Sequence, residues 1–327
     1  MEKSLGQQTT LEVGYLGSHG VHLQRAHLIN NAPPGPGAVG PRRPFPRISF
    51  VPDTVLPANV TYAAPAAGCP NGTICFPVST INLLENTAQS WYDAGYVNVR
   101  RRHARGLTFL GNYTWAKNLS DAPDFRSPMF ESAIPQNNND LGAEKGPACD
   151  VKHRFALSAV YDLPGLKQSG LLDKLTHNWQ VSTVYQIQSG FPFTLSVFGD
   201  TANSGTVLSE NPIRANVTGQ PIFPSGTRTA AAWFNTSAFA APAAFTFGNS
   251  GRNSVYGPGR QTLDFAVVRN FSITESARFQ LRAEFFNALN HTNLGMPDRF
   301  VNTPQGGTIT EAATPGREIQ LSARLPF

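Results

Sequence analysis

No stretch of this sequence offers the roughly 20 mainly apolar residues that a membrane-crossing helix needs. The nearest approach, Ala230 to Gly251, is uncharged but is interrupted by Asn235, Thr236, Ser237 and Pro242. The opening Met1-Glu2-Lys3-Ser4-Leu5-Gly6-Gln7-Gln8 has no apolar run, so no signal peptide is expected. Charge is scarce: Asp, Glu, Lys and Arg make up 14% of the 327 residues, against about 25% in ordinary soluble domains. Lys and Arg number 26 and Asp and Glu 21, a net charge of +5. At 40% hydrophobic and 10% aromatic the chain is too apolar for disorder, and 29 Gly with 26 Pro exclude a helical bundle or coiled coil. Only three cysteines are present. Cys69 and Cys75 flank a turn-like Pro70-Asn71-Gly72, which suits either two thiols or a small loop disulfide. No His or acidic residue lies between them to suggest zinc, and Cys149 is left over.

What is abundant is alternation of period two, the pattern of a strand with unlike faces. Leu11, Val13 and Tyr15 share one parity, as do Leu107, Phe109, Gly111, Tyr113 and Trp115. Phe155, Leu157, Ala159 and Tyr161 repeat it, followed by Trp179, Val181, Thr183, Tyr185 and Ile187. Ala277, Phe279, Leu281, Ala283 and Phe285 come next, and Ile319, Leu321, Ala323, Leu325 and Phe327 close the chain. Two weaker segments, 90–100 and 261–270, bring the set to about eight strands. Each is about ten residues long, enough for a tilted strand to cross a bilayer, whereas soluble strands average about five or six.

The opposite parity is filled by Gln, Ser, Thr, Arg and Asn, which suits a hydrated lumen better than a packed core. Tyr15, Trp115, Tyr161, Trp179 and Phe327 fall near strand ends, where interfacial aromatic girdles sit. The links alternate in length: 17–89, 117–152, 199–260 and 291–316 are long, 101–105 and 271–276 short, and 163–177 intermediate. Outer-membrane barrels pair short periplasmic turns with long extracellular loops. With Phe327 in the periplasm, every long loop falls outside.

Motifs for chemistry are weak. His19, His22 and His27 match no zinc spacing, and Arg100-Arg101-Arg102-His103-Ala104-Arg105 reads as a solvated hairpin turn rather than a nucleic-acid contact. Gly257-Pro258-Gly259 lacks the strand–helix context of a phosphate loop and reads as a turn before a strand. Asp150, His153 and Arg154 do not form an acid–base set, because strand register puts His153 and Arg154 on opposite faces. No enzyme activity and no cofactor, metal or nucleic acid is expected.

An ordered series of segments carries a resemblance. It begins with Gly14-Tyr15-Leu16-Gly17-Ser18-His19-Gly20 and Gly106-Leu107-Thr108-Phe109 through Tyr113-Thr114-Trp115-Ala116-Lys117. Asp150-Val151-Lys152-His153-Arg154-Phe155, Tyr161-Asp162-Leu163-Pro164 and Gln188-Ser189-Gly190-Phe191-Pro192-Phe193 follow. Trp233-Phe234-Asn235, Gly257-Pro258-Gly259 and Arg282-Ala283-Glu284-Phe285-Phe286-Asn287-Ala288-Leu289-Asn290-His291 complete it. Together they cover nearly the whole chain, which resembles the barrel of Oar-like TonB-dependent transporters.

The resemblance implies an all-β, antiparallel transmembrane barrel of the roughly 22-stranded type, occluded in the family by an N-terminal plug. Residues 1–327 would be its C-terminal portion, with long extracellular loops and with neither plug nor signal peptide. The expected role is barrel wall and substrate-binding loops of an outer-membrane receptor; the alternative is a self-standing small barrel or surface adhesin. Expected partners are outer-membrane lipid, the barrel-assembly machinery reading a signal at Ile319, Leu321, Ala323, Leu325 and Phe327, and the TonB system through the missing plug. Trp233, Phe234 and Asn235 are the candidate substrate contacts in the loops.

Overall fold

A computed structural model describes residues 1–50, 74–122, 134–165, 176–205, 213–272 and 278–325. Eight long strands form one antiparallel sheet: β1 (Thr9–Leu28), β2 (Asn82–Ala104), β3 (Leu107–Ser120), β4 (His153–Asp162), β5 (Trp179–Gln188), β6 (Arg260–Ser272), β7 (Arg278–Phe286) and β8 (Glu318–Arg324). They pair in chain order, and two short strands, Glu2–Ser4 on β1 and Gly146–Pro147 on β3, bring the sheet to ten. All eight strands read from alternation are present. Among the described residues the edges of β1 and β8 do not pair with each other.

Register keeps unlike side chains on opposite faces. One row runs Tyr15, Gly95, Trp115, His153 across β1 to β4. Tyr15 and Trp115 are 71% and 63% exposed, so two large rings line up on one face at one depth. Below that row the same face carries Val13, Val97, Tyr113, Phe155 and Ile187, with Phe155–Tyr185 and Phe265–Phe285 rings 6.2 and 6.4 Å apart. Leu321 on β8 is 77% exposed. From Trp115 to Leu107 this band measures about 20 Å along a membrane normal at ordinary strand tilt, close to the ~25 Å of outer-membrane barrels. An aliphatic and aromatic face of this extent needs an apolar solvent.

β1 and β2 are 20 and 23 residues long, about twice the expected span. The excess lies beyond the aromatic row, where the formerly apolar face carries Asp93 and Lys117 opposite one another, and His19 stacked 5.2 Å from Trp91. Charges and amides there mark an arm standing in water. Register shifts between Gly20 and Arg25 break its alternation, which is why it reads as loop in the sequence. At the other end, the basic run belongs largely to β2 rather than to a turn. The turn proper is Arg105-Gly106, at φ +53° and +80°, the twist that a two-residue hairpin requires.

Among the described residues, the larger hydrophobic core lies outside this sheet. The long connections β1–β2, β3–β4, β5–β6 and β7–β8 leave the same end and fold into a cap. Its core holds Phe193, Leu195, Val197, Ile213, Phe234 and Phe239, with Phe234 packed 6.0 Å from Phe193 and 6.1 Å from Phe239. Side-chain bonds to backbone tie one connection to the next. Asn203 donates to the carbonyl oxygens of Gly35 and Gly37 (2.9 and 2.8 Å), Gln136 to that of Gly248 (2.7 Å), and Asn302 to that of Phe198 (3.0 Å).

Candidate functional site

Two surfaces qualify, the polar face of the sheet and the clefts of the cap. On the polar face Glu12 is held by Tyr96 Oη (2.9 Å) and Asn98 Nδ2 (3.0 Å). Asn112 donates to Asn98, and Thr114 donates to Asn112 Oδ1 at 3.2 Å. The resulting ladder crosses β1, β2 and β3. Gly14 makes room for it, since a Cβ there would strike the Tyr96 ring. Farther along, Arg282 pairs with Glu284 at 2.7 Å and Gln180 donates to Asp162 at 2.8 Å. These groups keep one another solvated and aligned, as a water-filled conduit requires.

Within the cap, Arg214 and Glu144 lie 3.2 Å apart and are almost fully buried. Burial pushes the Glu144 carboxyl up from its ordinary range, and the charges of Arg214 and Arg252 oppose that shift. Asp150, 1% exposed, accepts from the Asn118 amide (2.8 Å) and Tyr256 Oη (2.6 Å). Burial and the Asp150 carboxylate together push the Tyr256 phenol up.

Two clefts open in this cap. One of about 500 Å³ lies among Phe193, Met296, Asp298, Arg299, Phe300 and Glu311. Its Arg299 guanidinium sits 5.2 Å over the Phe300 ring, and burial lowers its pKa. The other, about 470 Å³, is walled by Pro33, Pro34, Pro44 and Phe247 and by the amides of Gln136 to Asn139. Both combine apolar walls with a few polar groups, the usual composition of a small-ligand site.

The residues singled out from sequence fall as follows. Trp233 donates its indole N–H to the Tyr256 carbonyl (2.9 Å), Phe234 is 2% exposed in the cap core, and Asn235 accepts from the Ser237 amide (3.1 Å). All three are engaged in holding the cap together. Ile319, Leu321 and Ala323 share the apolar face of β8, and Leu325 follows the strand end. Phe327 lies outside the described residues, as do Cys69 and the side chain of Cys75, so the bridge between those cysteines falls outside them too. His19 stacks on Trp91, His22 occupies a bulge at φ +56°, and His27 faces Glu85 at 3.2 Å, three separate environments. His153 lies on the apolar face and Arg154 on the polar face. The Glu144–Arg214 and Asp150–Tyr256 pairs were not foreseen, because 70 and 106 residues separate the partners and no local spacing links them.

Long antiparallel strands, an apolar outer face edged by an aromatic row and a hydrogen-bonded polar face define a membrane-spanning β-barrel wall. The chain belongs to the outer membrane beta barrel domain family, whose model matches residues 1–320, and its place is the outer membrane. Among solved structures it is similar to the outer membrane transporter YddB from Escherichia coli, at 9% identity and a TM-score of 0.44. That likeness takes in 98% of this chain and 31% of the transporter, so the chain spans about a third of its length. No curated protein matches the sequence.

Proposed function

We propose that this chain forms part of the wall and the outer cap of a TonB-dependent receptor that takes up a substrate across the outer membrane. The observation that carries this reading is the conjunction of a polar-lined wall with four long connections interlocked over one of its ends. A second observation supports a wall larger than eight strands. Along β8 and most of β1 the outer edge is unpaired among the described residues. Unsatisfied backbone groups in hydrocarbon cost several kcal/mol each, so these edges require further strands. Short turns and C-terminus face the periplasm and the cap faces outward, as in barrels with this asymmetry of loop length.

On this reading the polar ladder of Glu12, Tyr96, Asn98 and Asn112 faces the conduit, and the cap clefts are where substrate is first held. No residue performs covalent chemistry. The assembly machinery reads β8, and the TonB system acts through the plug domain of the receptor. The TonB link rests on the ordered segments from Gly14 to His291 and on the expectation drawn from them. Sequencing the genomic DNA upstream of the Met1 codon tests it. The reading predicts an open frame encoding further alternating strands, a plug and a signal peptide. A stop codon and a ribosome-binding site immediately upstream would contradict it.

A further inference from the structure

The cleft beside Phe300 is built largely by the connection between β7 and β8, which folds back on itself. The Gly295 amide donates to the Glu311 carbonyl, the Asp298 amide to that of Thr308 and the Gly307 amide to that of Asp298, each at 2.9 Å. The Ser196 amide donates to the Arg299 carbonyl and the Val301 amide to that of Ser196, both at 3.0 Å. Those two bonds fasten the hairpin to the segment that carries Leu195 and Val197 of the cap core. Phe193, Met296 and Pro297 give the cleft, about 500 Å³ in volume, its apolar wall.

Two opposite charges line this space without partners. The Arg299 side chain is partly buried, with its guanidinium 5.2 Å from the Phe300 ring, and it makes no hydrogen bond or ion pair among the described residues. Burial disfavours its charge. Of the two carboxylates in the cleft, that of Asp298 accepts from the Phe300 amide at 2.7 Å. That of Glu311 makes no hydrogen bond or ion pair among the described residues. Gly295 leaves Glu311 its place, since a Cβ there would come 2.8 Å from Glu311 Cγ. Glu311 is level with Gly295, so about 13 Å of extended backbone separates it from Arg299 along the hairpin. At about 3.3–3.6 Å per residue, two or three peptide residues span that gap once both side chains reach inward.

The charge pattern selects the ligand. A guanidinium held partly out of water without an anion is costly, and an arriving carboxylate removes that cost. A ligand that is only anionic would meet two carboxylates, and one that is only cationic would meet Arg299. A neutral sugar would leave Arg299 without an anion. We infer that this cleft binds a short peptide with free termini, its carboxylate on Arg299, its ammonium at Glu311 and its apolar side chains against Phe193, Met296 and Pro297. Such a peptide is then the substrate of the receptor proposed above, a reading on which this assignment of substrate rests.

The test uses the intact receptor purified from outer membranes in detergent. It is titrated calorimetrically with leucyl-phenylalanyl-leucine, with the N-acetylated tripeptide and with its C-terminal amide. The free tripeptide should bind about tenfold more tightly than either blocked form, the worth of one charge-assisted hydrogen bond. Arg299→Gln should bind acid and amide equally while still preferring the free amine. Glu311→Gln should bind free amine and N-acetyl forms equally while still preferring the acid. Heat-modifiable migration reports folding, and Glu311→Gln, at an exposed side chain, carries the test if Arg299→Gln does not fold. Equal binding of the three forms to the unaltered receptor, absence of binding, or a variant that loses affinity for all three by the same factor would overturn the proposal. If the tripeptide fails to bind while the upstream frame encodes a plug, the cleft assignment falls and the receptor stands. A bound tripeptide with no such frame would sink the receptor reading and keep the cleft.

Discussion

Single residues show how differently the two halves of the molecule handle charge. In the cap, Glu144 and Arg214 are buried as a pair, and the Glu144 carboxyl is pushed up by burial more than its cationic neighbours pull it down. The folded cap therefore holds a proton on Glu144 at pH values where the unfolded chain has released its own. Stability from this group falls as pH rises from the ordinary carboxylate range through the raised native value. Glu144→Gln, which cannot titrate, should flatten that part of the profile; urea unfolding of the cap followed by tryptophan emission between pH 4 and 8 checks it. On the polar face, Glu12 accepts hydrogen bonds from Tyr96 and Asn98. Replacing Glu12 by Ala leaves two donors without their acceptor but in contact with water. The expected effect is only a small downward shift in the unfolding midpoint.

At the scale of elements, the hairpin between β2 and β3 turns on Arg105 and Gly106, both at positive φ. A Cβ at Gly106 would also meet the Asp162 carbonyl oxygen. Gly106→Ala should cost about 1–2 kcal/mol or more, while Arg105→Asn, which prefers that backbone, should be neutral or stabilising. Unfolding midpoints of the two variants in one detergent decide the comparison. How much was legible in the sequence follows from the same geometry. Strands such as Leu107–Ser120 and Glu318–Arg324 announce themselves because a wall one residue thick must alternate. The cap is different. Leu195, Ile213 and Phe234 lie in irregular segments without period, and they become a core only because amides such as Gln136 and Asn203 reach across to other connections. Trp233, Phe234 and Asn235 stood out as aromatic and amide loop residues, and that same composition serves their hydrogen bonds and burial in the cap. The upper arm of β1 was hidden by its bulges.

At the scale of the molecule, the sheet is a wall between two solvents, and its faces should respond oppositely to the same substitution. Leu157, in the middle of β4, shares the apolar face with Tyr185, and its neighbour Ala156 shares the polar face with Gln186. Leu157→Arg should cost about 2–4 kcal/mol and reduce the folded fraction in lipid, whereas Ala156→Arg should be tolerated. The most direct measurement is a scan of single cysteines through Leu107–Trp115, in a background with Cys69, Cys75 and Cys149 replaced by Ser and the protein in native membranes. Each thiol is probed with a water-soluble maleimide and, after labelling with a fluorophore, with a quencher confined to the acyl chains. The account predicts period two: positions 107, 109, 111 and 113 quenched by lipid and refractory to the maleimide, and 108, 110, 112 and 114 the reverse. Uniform labelling, or quenching that rises and falls without alternation, would contradict a membrane-spanning wall with lipid on one face and water on the other.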